Sequence, residues 1–105
     1  LFRSGINGPI EDLLFPINHG ILYYPGYEVL PPHVVYRVDR FKDADFEREA
    51  EQLRERMRTL ATTAPIRYRR QNFGDYLIPA MTLRPELGEP EARGFALHVD
   101  ATPTV

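Results

Sequence analysis

GINGPIEDLLFPINHGILYYPGYEVLPPHVVY, residues 5–36, decides how the rest of the chain is read. A glycine-bracketed turn, a mostly apolar helix, a second glycine turn and a Val- and Tyr-rich run follow one another, which is the order of one αβ step in a layered α/β fold. Pro9 is expected just inside the first helical turn, where Glu11 and Asp12 set negative charge against the positive end of the helix dipole. Ile10, Leu13, Leu14, Ile17, Ile21 and Leu22 then recur at three- and four-residue intervals. One broad face is therefore apolar and needs a large cover, for which a sheet is the expected partner. Pro16 removes a backbone donor inside this helix and predicts a kink or break near Leu14 and Phe15. Gly20 weakens the second piece, and Pro25 and Gly26 end it beside Tyr23, Tyr24 and Tyr27.

Working outward, Pro31 and Pro32 predict a bend, and Val34, Val35, Tyr36 and Val38 predict a buried parallel strand over 34–38 with a helix on either side. Residues 39–42 form a polar loop, and Asp43 is the expected N-cap of the next helix. Over residues 44–61, Phe46, Ala50, Leu53, Met57, Leu60 and Ala61 line one stripe, while charges of alternating sign fill the rest, as on a solvated surface helix. Arg48 with Glu51, Glu51 with Arg54 and Glu55 with Arg58 are spaced for i,i+3 ion pairs. After Thr63 the periodicity stops. The remaining residues carry five prolines between Pro65 and Pro103, yet keep Tyr68, Phe73, Tyr76, Leu77, Ile78, Met81, Phe95 and Leu97. So many apolar groups predict an irregular arm, 64–105, laid on another surface such as a partner subunit, beside a layered portion at 1–63.

The 105 residues have 43% hydrophobic and 27% charged content with a net charge of −2, the profile of an ordinary soluble domain with no global field for nucleic acid or an anionic membrane. Cysteine is absent, which excludes disulfides, thiolate metal sites and a cysteine nucleophile. No apolar run approaches the roughly 20 residues of a membrane span. The opening Leu1 and Phe2 show neither an initiator Met nor a signal pattern, so a fragment is expected. His19, His33 and His98 form no helix-spaced pair and suggest no metal site; His19 is expected on the solvated or interfacial side of the first helix. Arg67, Tyr68, Arg69 and Arg70 mix basic and aromatic groups as nucleic-acid binders do, but a solvated turn or salt-bridged interface is the better account of four residues.

Residues 5–36, the amphipathic helix after them, TTAPIRY, FGDYLIPA and GFALHV together resemble the C-terminal half of flavodoxin-like NAD(P)H:quinone oxidoreductases, nearest to the long, FAD-using type represented by DT-diaphorase. FPINHGILYYPGYEVLPP is the most specific part. The resemblance implies the C-terminal part of a flavodoxin-like three-layer α/β sandwich with a parallel sheet. It further implies a cytoplasmic homodimer in which FAD, or FMN, takes hydride from NAD(P)H and passes it to a quinone. By the same resemblance, Gly5, Ile6, Asn7 and Gly8 lie beside the flavin, Asn7 replaces a family histidine that stabilises the reduced ring, and Tyr24 helps to form the pocket over the partner's flavin. Two family aromatics match Gly74 and Ile78, for which Phe73 and Tyr76 are the nearby substitutes. A family arginine near the FAD adenosine matches Phe46. The alternative reading is a flavodoxin-like accessory or regulatory subunit that binds nucleotide with little turnover.

Overall fold

The computed structural model describes residues 6–72 and 74–101. Their contacts group into two units, Leu1–Val29 with Ile66–Val105, and Leu30–Pro65.

In the first unit, Gly8 takes φ 77°, a left-handed conformation that glycine adopts without a Cβ clash, and turns the chain into helix α1, Ile10–Phe15. Pro9 is the N-cap residue, one position earlier than expected, and its carbonyl accepts from the backbone N–H groups of Asp12 and Leu13 at 3.1 and 3.2 Å. The break at Pro16 is present as a change of helical pitch. Proline has no N–H to give to the preceding turn, and the chain continues as a π-helix, Pro16–Tyr23. Its exit keeps the wider spacing, with Tyr24 N–H on the His19 carbonyl at 2.9 Å and Tyr27 N–H on that of Leu22 at 3.2 Å.

The later half of this unit returns to the helix. Ile66 N–H bonds the Val29 carbonyl at 2.8 Å. Tyr68 and Val99 then form an isolated antiparallel bridge, flanked by Arg69 N–H on the His98 carbonyl at 2.8 Å and Asp100 N–H on that of Arg67 at 2.7 Å. Between them lies a small hairpin of β1, Tyr76–Leu77, and β2, Thr82–Leu83, paired in the register Tyr76 with Leu83 and Leu77 with Thr82. Short 3₁₀ turns occupy Pro85–Leu87 and Gly94–His98. The irregular arm is thus held to its own helix by Phe15, which stacks on Phe95 with centroids 4.3 Å apart. Val29 and Tyr68 are the buried hydrophobic residues, with Arg69 beside them as the buried charge.

The second unit holds helix α2, Asp43–Arg58. Its N-cap is Lys42 and not Asp43, because Asp45 reaches back to accept the Lys42 backbone N–H at 3.0 Å. Arg48 consequently pairs with Asp45 at 2.7 Å and not with Glu51, whereas Glu51 takes Arg54 at 3.1 Å and Arg58 at 3.0 Å. Arg58 also pairs with Glu55, and Arg56 bonds the Pro31 carbonyl.

The parallel strand expected over 34–38 is not formed. No strand pairs with that segment among the described residues, Arg37 takes φ 57°, and Val38–Arg40 curls into a 3₁₀ turn. Two prolines remove donors upstream and a left-handed residue breaks the extended run, so β-branched content alone does not make a strand. The parallel three-layer sandwich is accordingly absent from the described residues, where the one sheet is the antiparallel β1–β2 hairpin. Among the described residues no sheet covers the predicted apolar face of the first helix: Leu13, Ile17 and Ile21 are 54, 49 and 63% exposed.

Candidate functional site

Two features of the first unit carry chemistry. The first is an open cleft of about 270 Å³ where the π-helix ends, walled by Tyr23, Tyr24 and Tyr27 on one side and by Arg70, Gln71 and Asn72 on the other, with Gly26 and Glu28 at its edge. The far wall is fixed by Asp75, whose carboxylate accepts the Arg70 backbone N–H at 2.7 Å and pairs with the Arg70 guanidinium at 3.7 Å. Gly26, at φ 117°, lets the chain turn directly behind the tyrosines.

The second is an aromatic cluster beneath this cleft. Phe15 and His19 stack at 4.4 Å, His19 meets the Tyr68 ring edge-on at 5.0 Å, and Tyr23 lies 5.0 Å from Tyr68 with its hydroxyl on the Tyr68 carbonyl at 3.4 Å. His98 stacks on Tyr76 at 5.8 Å, and its Nδ1 is 2.8 Å from the Tyr76 hydroxyl. His19 Nε2 is buried and makes no hydrogen bond. Burial holds both imidazoles below the usual histidine range, with the neighbouring His98 adding to the effect on His19. Burial also raises the phenols of Tyr23, Tyr68 and Tyr76; Asp75 adds to the rise at Tyr23 and Tyr76.

These positions depart from the sequence reading of the histidines and the basic run. His19 is half-buried, packed against Phe15, Tyr23 and Tyr68 with its Nε2 turned inward. Tyr68 and Arg69 are turned inward. The Arg69 guanidinium bonds the Leu87 carbonyl at 2.7 Å and faces Glu89 and Asp100, each at 3.7 Å. No motif marked His19 or His98 as partners, since they are 79 positions apart; the available signal was the i,i+4 repeat Phe15, His19, Tyr23 along one helix row.

Of the residues singled out from sequence, Tyr24 stands in the cleft wall and is 70% exposed. Tyr76 is in the cluster, bonded to His98. Ile6 and Asn7 are exposed in the turn before α1 and Gly8 follows them at positive φ. Gly5 and Phe73 lie outside the described residues. The structure does not bring the 6–8 turn into the cleft lining. Among the described residues no group of three or more His, Cys, Asp or Glu side chains could hold a metal ion, and no helix is long and apolar enough to cross a membrane.

No family profile matches the chain. It is 56% identical over 94 residues to the ribosyldihydronicotinamide dehydrogenase-like protein traD of Penicillium crustosum, an alignment covering 90% of this chain and 34% of that protein. A crystal structure from Klebsiella pneumoniae, of a protein assigned as a quinone reductase, matches with a TM-score of 0.86 and 57% identity over 92% of this chain and 37% of that one. The chain spans about a third of the length of the relatives it matches.

Proposed function

We propose that this chain, a relative of quinone reductases along about nine-tenths of its length, is the part of a flavin-dependent NAD(P)H:quinone oxidoreductase that shapes the acceptor pocket. The observation that carries the reading is the tyrosine-walled cleft, because flat quinone and nicotinamide rings gain stacking and burial against aromatic walls with little conformational freedom lost. At about 270 Å³ the cleft is slightly below the ~300–1,000 Å³ of small-molecule sites, so closure by a second surface suits it. In a cytoplasmic homodimer that surface is the flavin edge of the partner subunit.

The exposed turn at Ile6, Asn7 and Gly8 fits one edge of a flavin, FAD or FMN. A backbone at positive φ permits close approach, and the space where a Cβ would stand at Gly8 is open to 4 Å. When bound, the flavin supplies two-electron hydride chemistry between NAD(P)H and the quinone. The residues here do the positioning: the Asn7 amide gives a hydrogen bond to a ring carbonyl, and Tyr24, in the cleft wall, excludes water from the acceptor. Asn7 takes no proton, and that favours the second reading, an accessory or regulatory subunit with little turnover.

The test is Tyr24→Ala in the full-length protein. We expect the KM for a quinone to rise about tenfold, as when about 1.4 kcal/mol of ring packing is lost, with flavin content unchanged. An unchanged KM, or a variant that loses flavin, removes Tyr24 from the acceptor pocket.

A further inference from the structure

The aromatic cluster joins two segments that are remote in sequence. Phe15, His19 and Tyr23 project from the helix, and Tyr68, Tyr76, Phe95 and His98 come from the arm. The two imidazoles lie near its centre with ring centroids 6.3 Å apart. The Tyr23 hydroxyl on the Tyr68 carbonyl joins helix and arm beside the stacked and edge-on rings.

We infer that His19 and His98 are a two-imidazole latch, which keeps the arm on the helix, and Tyr76 and Tyr23 in place, only while both rings are neutral. A cation at His19 would be enclosed by Phe15 and Tyr68 with its Nε2 lacking a hydrogen-bond partner. A second cation at His98, also half-buried, would face it with ring centroids 6.3 Å apart. The Tyr76 bond does not decide the matter, since Nδ1 accepts from the phenol or donates to it in the neutral ring, according to tautomer, and donates to it when charged.

The other ionisable groups packed around the pair do not offer compensation. On the helix, Glu11 and Asp12 are exposed at its first turn, and Tyr23 is a phenol whose ionisation is pushed up. On the arm, Tyr68 and Tyr76 are likewise neutral. Asp75 is engaged by Arg70, and Glu89 and Asp100 both face Arg69.

The sign follows from the lowered pKa of both rings. Above the unfolded histidine pKa of about 6.5 neither state is protonated and the latch is at full strength. As pH falls below it, the open arm takes up protons that the docked arm refuses, so docking weakens until the docked-state pKa values are reached. Because Tyr23 and the 70–72 wall belong to the cleft, release of the latch loosens the proposed acceptor site; that last step alone rests on the quinone reading.

Amide hydrogen exchange of the full-length protein, corrected for the intrinsic pH dependence of exchange, tests the latch. From about pH 7.5 to about pH 5, exchange in peptides covering 66–72 and 94–100 should accelerate about tenfold for each unit by which the imidazole pKa values are held down. The double variant His19→Phe with His98→Gln, which keeps a ring and a partner for Tyr76, should remove the acceleration. Equal acceleration in the variant overturns the latch. Should the variant fail to fold, NMR titration of the wild-type imidazole signals decides: both pKa values below about 6.5 support the latch, and either at or above it overturns the latch. The KM for quinone measured over the same range separates the two readings. If exchange opens while KM stays flat, the latch stands and the placement of the acceptor site falls.

Discussion

An asparagine amide gives and takes hydrogen bonds but does not ionise, so Asn7 can orient a flavin carbonyl without supplying a charge or a proton. Replacing it with an imidazole adds both, and Asn7 is exposed, so Asn7→His has room for its ring. In the full-length protein we expect the variant to give quinone reduction a pH dependence centred near about 6.5 that the wild type lacks at that position. An unchanged pH profile would return Asn7 to the role of an ordinary loop residue. At such a position the chemistry belongs to one side chain and is read from residue type alone. Residue type does not place His19. Its helix row supplies Phe15 and Tyr23 locally, but whether the third side of the imidazole meets water or Tyr68 depends on a segment about fifty positions later, and no local pattern carries that information. Arg69 is a similar case. Its neighbours in sequence left a solvated turn and a salt-bridged interface open, and the acidic partners, Glu89 and Asp100, come from further down the arm.

At the scale of elements, the helices were legible because their causes are local. A proline breaks the first helix where its missing N–H predicts, and the charged face of α2 runs along the expected residues. Capping was legible to within a residue: Asp45 satisfies the Lys42 N–H by reaching back over one turn, a competition that residue type alone does not resolve. The strand over 34–38 was not legible in the same way, because a strand owes its hydrogen bonds to a neighbour and the described residues provide none. Gly20 offers a local test of the π-helical turn. It lies within that element without a positive φ, and an added Cβ would meet nothing within 4 Å. Gly20→Ala should therefore stabilise the protein by about 0.5–1 kcal/mol, mainly by restricting the unfolded chain, and thermal or urea unfolding would read it. A loss of stability instead would mean that the wide turn relies on glycine's freedom.

At the scale of the molecule, the described residues have helices with apolar faces but no sheet large enough to cover them. Leu13, Ile17 and Ile21 on the first helix and Phe46 and Met57 on α2 remain exposed, and the buried apolar set is Val29 and Tyr68. Flavin sites in open α/β proteins lie at the carboxyl ends of parallel strands, near a switch in strand order. Among the described residues there is only an antiparallel hairpin of two-residue strands; Ile6 and Asn7 are exposed, and the 6–8 turn does not line the tyrosine cleft. One edge of a ring system, met by one amide and a glycine turn, lacks the 70–90% burial typical of a bound small molecule. The 105-residue chain alone should therefore bind flavin weakly. Fluorescence titration with FAD, at about micromolar protein, should show a shallow curve without a stoichiometric break, because at that concentration only a Kd well below micromolar gives one. A sharp one-to-one endpoint would mean that these residues build a complete flavin site by themselves, and the division of labour in which they contribute only an edge and an acceptor wall would have to be abandoned.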